Sequence, residues 1–313
     1  MKDTALALLF PGQGSQFVGM GRELADAFPE AMAVFREADE ILNTRLSRLM
    51  WEGPDAELML TRNAQPALLV HSVAVLRVVE SRLSDVRFAA GHSLGEFSAH
   101  VAAGTLSFRD ALTVVRRRGE LMYETGMARP GTMAAVLGLE DDAVEAACRR
   151  VTEGVCVPAN FNAPGQVVVS GDAAGVEAGG ALLLEAGARR VVPLNVSGAF
   201  HSPLMEPAVD GLRAHLEGLT FAEPRIPVYS NVTAGPVTEV AEARTLLVGQ
   251  LTAPVRWSAS VAAMVGAGAA GFLELGAGAV LCGLNKRNAR GIPCASVGTP
   301  AEVAALFQEE DPS

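Results

Sequence analysis

Short apolar runs alternate with longer amphipathic stretches through the first part of the chain. Residues 5–10 are uniformly apolar and run into Pro11-Gly12, which predicts a buried strand; residues 86–90 predict a second. Residues 17–27, 29–42, 66–82, 94–103 and 110–123 predict helices. Pro66 falls near the first turn of its helix, where a missing N–H is tolerated. Buried strands alternating with helices imply a parallel α/β sheet.

The middle of the chain has another rhythm. Residues 131–139, 155–161, 166–171 and 189–196 predict strands, and 141–151 and 172–186 predict helices, the second capped by Asp172. Asn162-Ala163-Pro164-Gly165 is the turn between the central strands. The order β-α-β-β-α-β is that of a ferredoxin-like unit. Residues 127–197 are therefore expected as a small inserted domain, with 1–126 and 198–313 forming the large one. The chain then returns to helix (205–217), strand (227–230), helix (241–251) and strand (271–274), and ends in an acidic tail, 309–311.

Composition narrows the classes. A chain of 313 residues that is 50% apolar is not disordered and has room for about two folding units. A formal net charge of −10 argues against nucleic acid as a partner. The four cysteines, Cys148, Cys156, Cys282 and Cys294, lack metal-ligand spacing and point to a reduced, cytoplasmic setting. The longest uncharged apolar stretch, 261–273, is too short for a membrane span. Asn195-Val-Ser and Asn231-Val-Thr match the glycosylation pattern, but without a secretion signal they are expected to be coincidences.

Four segments carry candidate chemistry. Gly91-His92-Ser93-Leu94-Gly95 is a G-x-S-x-G pattern between a predicted strand and a predicted helix, the context in which a sharp turn exposes a nucleophilic serine. Serine needs a base, and there are five histidines. His71 lies in an apolar helix, His92 adjoins the serine, His100 points along the serine's own helix, and His215 lies among helix-surface residues. By elimination His201, in a Gly- and Pro-marked loop, is the candidate base. Pro11-Gly12-Gln13-Gly14-Ser15-Gln16 follows the first strand; as a nucleotide loop it lacks the sixth-position glycine and a GK[ST], and a turn facing a reaction centre fits better. In Arg116-Arg117-Arg118, only Arg118 falls on the apolar stripe of Ala111, Val114, Val115, Leu121 and Met122. An inward arginine needs an anionic partner, which spacing leaves open between a structural acid and a substrate carboxylate.

Taken in order, Pro11-Gly-Gln-Gly-Ser-Gln, Gly91-His-Ser-Leu-Gly-Glu-Phe, Arg118-Gly119, Gly198-Ala-Phe-His201 and Gln250-Leu-Thr-Ala-Pro-Val-Arg-Trp257 resemble the malonyl-CoA:acyl carrier protein transacylases, including the stand-alone acyltransferases of polyketide synthesis. The resemblance spans nearly the whole chain. It implies an α/β-hydrolase-like large domain with the ferredoxin-like domain inserted. It implies Ser93 as the acylated nucleophile, His201 as its base, and the backbone carbonyl of Gln250 as the group orienting that base. The N–H groups of Gln13 and Leu94 would form the oxyanion hole, and Arg118 would hold the malonyl carboxylate. Phe200, just before the histidine, accompanies malonyl in the family, whereas a small residue accompanies methylmalonyl.

The implied substrates are malonyl-CoA and a phosphopantetheinylated acyl carrier protein, with no metal or redox cofactor, no membrane, and a monomeric enzyme. Carrier proteins are acidic, so docking on this acidic chain needs a local basic patch. Arg189-Arg190 and Lys286-Arg287, with Arg290, are candidates beside the reading that they are ordinary solvated cations. Two rival functions stay open at this level: a serine hydrolase of the same fold, and a non-catalytic binding subunit.

Overall fold

The computed structural model describes residues 5–308, so the acidic tail at 309–311 lies outside the described residues. Ten strands, β1 (Leu6–Phe10), β2 (Val86–Gly91), β3 (Thr132–Leu137), β4 (Cys156–Ala163), β5 (Gln166–Gly171), β6 (Arg190–Pro193), β7 (Val228–Tyr229), β8 (Pro236–Val237), β9 (Gly271–Leu275) and β10 (Cys294–Val297), form two sheets. The larger has the order β10-β9-β1-β2-β7-β8, parallel except for the β7–β8 pair. β1 and β9 are neighbouring interior strands with every residue buried, as the unbroken apolar run of β1 requires. Helix Thr61–Val79 packs on this sheet, Phe108–Ala128 packs against that helix, and the two carry much of the main core.

The smaller sheet is antiparallel, in the order β4-β5-β3-β6, with helices Asp141–Arg149 and Ala173–Glu185 on one face. Both the connectivity and the strand order are ferredoxin-like. Asp172 caps the second helix, its Oδ1 accepting from the Gly175 N–H at 2.8 Å. β4 is also joined to the segment before helix Trp257–Gly266: the Phe161 N–H donates to the Val255 carbonyl and the Val255 N–H to that of Ala159, each at 2.8 Å.

Three expectations are corrected. The helix expected over 17–27 is only Arg22–Ala27, because Gly19 and Gly21 take positive φ (102° and 77°) and break the approach to it. The helix containing Pro66 begins at Thr61, so the proline is interior. It is tolerated there because the Arg62 carbonyl, deprived of its N–H partner, accepts instead from Arg116 Nη1 at 2.9 Å. The cysteines are not all free thiols: Cys282 and Cys294 form a disulfide, since the fold sets the start of β10 beside helix Val280–Asn288. Cys148 and Cys156 are free and buried, with their sulfurs 3.9 Å apart. Among the described residues, no helix is long and apolar enough to cross a membrane.

Candidate active site

The turn after β2 places the serine. Gly91 and Gly95 face one another so closely that a Cβ on Gly91 would overlap the Gly95 carbonyl, and one on Gly95 would overlap the Phe10 carbonyl. Between them Ser93 adopts φ 51°, a left-handed conformation costing a non-glycine residue about 1–2 kcal/mol. Asn231 holds this strained turn at both ends. Its Oδ1 accepts from the Ser93 N–H at 2.6 Å, and its Nδ2 donates to the Gly91 carbonyl at 2.7 Å. The hydroxyl sits in a cleft of about 320 Å³, against the N-terminus of helix Gly95–Ala102.

Ser93 Oγ lies 2.8 Å from His201 Nε2, and His201 Nδ1 lies 2.8 Å from the Gln250 carbonyl. A carbonyl can only accept, so Nδ1 carries the proton and Nε2 is left free to take the serine's. His201 is buried and also has positive φ, 56°. Burial, and secondarily the charge of Arg118, pushes its pKa down to about 3, while the Gln250 carbonyl opposes the shift. It is therefore a neutral imidazole throughout the physiological range.

Arg118 reaches the same hydroxyl: Nη2 is 3.2 Å from Ser93 Oγ and 2.8 Å from Gln250 Oε1, and Nη1 is 2.6 Å from Gln65 Oε1. The side chain is only 1% exposed. Among the described residues no carboxylate lies within ion-pair distance of it. Its Nε–H has no acceptor, so the guanidinium carries more donor capacity than the protein satisfies. Burial lowers its pKa to about 10, which leaves it charged at neutral pH. A buried cation held by neutral amides is a receptor for an anion.

The other expected residues fall as follows. Gln13, Leu94 and Phe200 line the cleft, and no hydrogen bond engages the backbone N–H of Gln13 or Leu94 among the described residues. The Gln13 side chain is turned to Thr61 Oγ1, 3.0 Å away, leaving its backbone to face the cleft. His92 also lines the cleft, its Nε2 2.8 Å from Asn162 Oδ1 and its ring against Trp257. His71 and His100 are buried in the core, and half-buried His215 lies on helix Glu206–Glu217. Arg116 and Arg117 stay at the surface of their helix, both pairing with Glu120. Arg189, Arg190 and Lys286 are exposed and lie away from the cleft, and half-buried Arg287 bonds Gln166.

Three site residues escape the sequence reading. Gln65 holds Arg118, Asn231 holds the elbow, and Glu96 holds Gln250. The sequence did mark two of them without revealing their roles, Asn231 inside a glycosylation-like triplet and Glu96 within the elbow segment.

Comparison with known proteins agrees with this geometry. A family model described as acyl transferase domain matches residues 7–311. The malonyl CoA-acyl carrier protein transacylase of Bacillus subtilis is 47% identical, over 97% of this chain and 96% of its own length. The crystal structure of an acyl carrier protein S-malonyltransferase from Vibrio cholerae superposes with a TM-score of 0.94 at 42% identity, covering 97% of this chain and all (100%) of that one. A malonyl-transacylase solved in complex with its type II PKS acyl-carrier protein also gives 0.94, at 41% identity, with coverage of 98% and 100%.

Proposed function

The chain belongs to the malonyl-CoA:acyl carrier protein transacylases, and from that premise we propose which of its residues carry the transfer of malonyl from coenzyme A to the carrier's phosphopantetheine thiol. One observation carries the reading: nucleophile, base and cation converge on a single oxygen, with His201 Nε2 at 2.8 Å and Arg118 Nη2 at 3.2 Å from Ser93 Oγ. Malonyl has one methylene between its reacting carbonyl and its carboxylate. A clamp for that carboxylate must therefore sit beside the nucleophile.

Ser93 Oγ attacks the thioester carbonyl as His201 Nε2 takes its proton. The backbone N–H groups of Gln13 and Leu94 face the developing oxyanion, a contact typically worth ~10²–10³ in rate. The C–S bond then breaks, and His201 returns the proton to the coenzyme A thiolate. The carrier thiol gives its proton to His201 and attacks the malonyl-serine ester, and the ester oxygen recovers the proton. Thioester and ester are close in energy, so nothing in the cycle calls on a metal or redox group. Pairing of the malonyl carboxylate with Arg118 offsets the charge that depresses His201, so the imidazolium forms more easily once the correct substrate is in place.

Carrier docking is assigned to the four basic residues flanking the β4–β5 turn. Arg189 packs over Gly138, whose N–H donates to the Gly165 carbonyl in that turn, and Arg287 reaches Gln166 just after it. Lys286 and Arg190 are exposed beside them. The inserted unit, taken as residues 127–197, thus supplies part of the docking face and part of the cleft wall.

The deciding experiment incubates the protein with malonyl-CoA, with and without holo-carrier, and weighs both proteins by mass spectrometry. A malonyl adduct on Ser93 that moves to the carrier is expected. Free malonate released at the same rate with or without carrier would instead mean a hydrolase. In the same assay Lys286→Glu with Arg287→Glu should load malonyl normally yet pass it on more slowly, and unchanged transfer would remove the docking assignment. Phe200, 6% exposed on the cleft wall, is the steric filter for an α-branch. Phe200→Ser should raise methylmalonyl-CoA loading relative to malonyl-CoA by ~10–100-fold, the range for one methyl group against an apolar wall. An unchanged ratio would clear Phe200 of that role.

A further inference from the structure

Among the described residues, Glu96 is the one carboxylate inside the catalytic network. It lies in the first turn of helix Gly95–Ala102 and is 1% exposed. Its Oε2 accepts from Gln250 Nε2 at 2.6 Å and from the Asn231 N–H at 3.1 Å. Those two partners govern everything around the serine. Asn231 pins the elbow through the Ser93 N–H and the Gly91 carbonyl. Gln250 Nε2 also donates to the Ser93 carbonyl at 3.1 Å, its backbone carbonyl accepts from the His201 Nδ1–H, and its Oε1 accepts from Arg118 Nη2.

The polarity of the Gln250 amide follows from its neighbours. Arg118 has only donors, so the group facing it must accept. An ionised carboxylate has only acceptors, so the group facing it must donate. Gln250 stands between the two with Oε1 toward the cation and Nε2 toward the anion. The pair is indirect, with one amide between charges of opposite sign. A direct Glu96–Arg118 bridge would occupy the guanidinium; with Gln250 interposed, the cation is supported while its remaining donors stay open to substrate.

We propose that Glu96 is a positioning residue for malonyl selectivity: through the Gln250 amide, its carboxylate sets the aim of Arg118 on the acyl carboxylate. This rests on the transacylase reading above and extends it to a residue that touches neither substrate nor reacting atoms. Burial, the largest influence, raises the Glu96 pKa to about 7, against the pull of Asn231, Gln250 and Arg118. The charged group acting on it is Arg118 from helix Phe108–Ala128. The titratable neighbours are His201, reached through Gln250, His100, one turn on along the same helix, and His92 in the elbow. Burial lowers the pKa of all three, so each is neutral across the range tested. Above pH 7 the carboxylate only accepts and fixes the amide. Below it, a neutral Glu96 accepts more weakly from Gln250 Nε2, so the amide keeps its polarity through Arg118 and the Ser93 carbonyl but is held less firmly against the guanidinium.

The test is the ratio of malonyl to acetyl loading on Ser93, read by intact-protein mass spectrometry between pH 6 and 8.5. Read as kcat/KM, both loadings report the free enzyme. There burial and then the charge of Arg118 hold His201 down to about 3, so the base stays neutral across this range, whereas only malonyl uses Arg118. In the wild type the ratio should fall several-fold as pH drops through about 7. Glu96→Met, which keeps length but has no carboxylate, should lower the ratio at pH 8 about tenfold and abolish its pH dependence. Glu96→Gln, nearly isosteric, should likewise lose the pH dependence, and thermal melting establishes that each variant is folded. A pH-independent ratio in the wild type, or a wild-type ratio and pH profile in the folded variants, would overturn the proposal. A wild-type protein that never acquires malonyl would instead overturn the transacylase reading, so the two failures are distinct.

Discussion

Replacing Arg118 with alanine should lower kcat/KM for malonyl-CoA about 10²–10³-fold and change acetyl-CoA loading by no more than a few-fold. The magnitude follows from burial. On the proposed mechanism the malonyl carboxylate would enter a cleft where, among the described residues, Arg118, 1% exposed, is the one cation beside Ser93. Removing one partner of a buried, hydrogen-bonded charge pair typically costs 2–5 kcal/mol, mostly because the other charge is left unpaired. Acetyl has no such charge and loses nothing equivalent. Arg118→Lys keeps the charge but not the planar fork that meets Gln65, Gln250 and Ser93 at once, so it should fall between wild type and alanine. Steady-state loading of both acyl-CoAs decides the matter. Equal losses on malonyl and acetyl would make Arg118 a structural residue whose removal simply frees the two glutamines.

Replacing His201 with alanine should lower the rate of malonyl-enzyme formation by about 10²–10⁴, the usual contribution of a positioned general base. Single-turnover mass measurements with malonyl-CoA check it, and a loss under tenfold would mean that another group takes the serine's proton. The pH dependence gives a second reading of the same residue. A base works in its neutral form, so activity is lost as pH falls through its pKa. In the free enzyme His201 is held down to about 3, so acetyl loading, which leaves the Arg118 charge uncompensated, should stay level from pH 8 to about pH 5. A fall centred near the ordinary imidazole value of about 6.5 would show that burial and Arg118 do not depress it.

Much of the fold follows from local pattern. The apolar run ending at Phe10 became the wholly buried β1, and Asp172 capped the helix it preceded. Of the three local readings that failed, one was undone by the local glycines Gly19 and Gly21 and two by a partner distant in the chain. Pro66 could sit inside its helix because Arg116, 54 residues beyond the freed Arg62 carbonyl, supplied the missing donor. The cysteines, uninformative by spacing, acquired meaning only when β10 came alongside the helix carrying Cys282.

The site divides the same way. Ser93 was legible because a nucleophile on a sharp turn needs glycines at fixed offsets, and those offsets are sterics within five residues of chain. His201 was reached by elimination, and Arg118 by its place on an apolar stripe, yet the stripe left its partner open. Only the fold set Gln250 against it across 132 residues and Gln65 across 53. Glu96 was in plain view in the elbow segment, but its neighbours Asn231 and Gln250 come from loops 135 and 154 residues away.

The sequence by itself determined the types of group available and the local backbone that presents them, because periodicity, glycine sterics and capping act within a few residues. The tertiary structure alone decided which groups share one oxygen, which cation lacks a counter-charge and which carboxylate sets an amide's polarity. Those are matters of burial and of donors meeting acceptors across long chain separations, and spacing along the chain carries no trace of them.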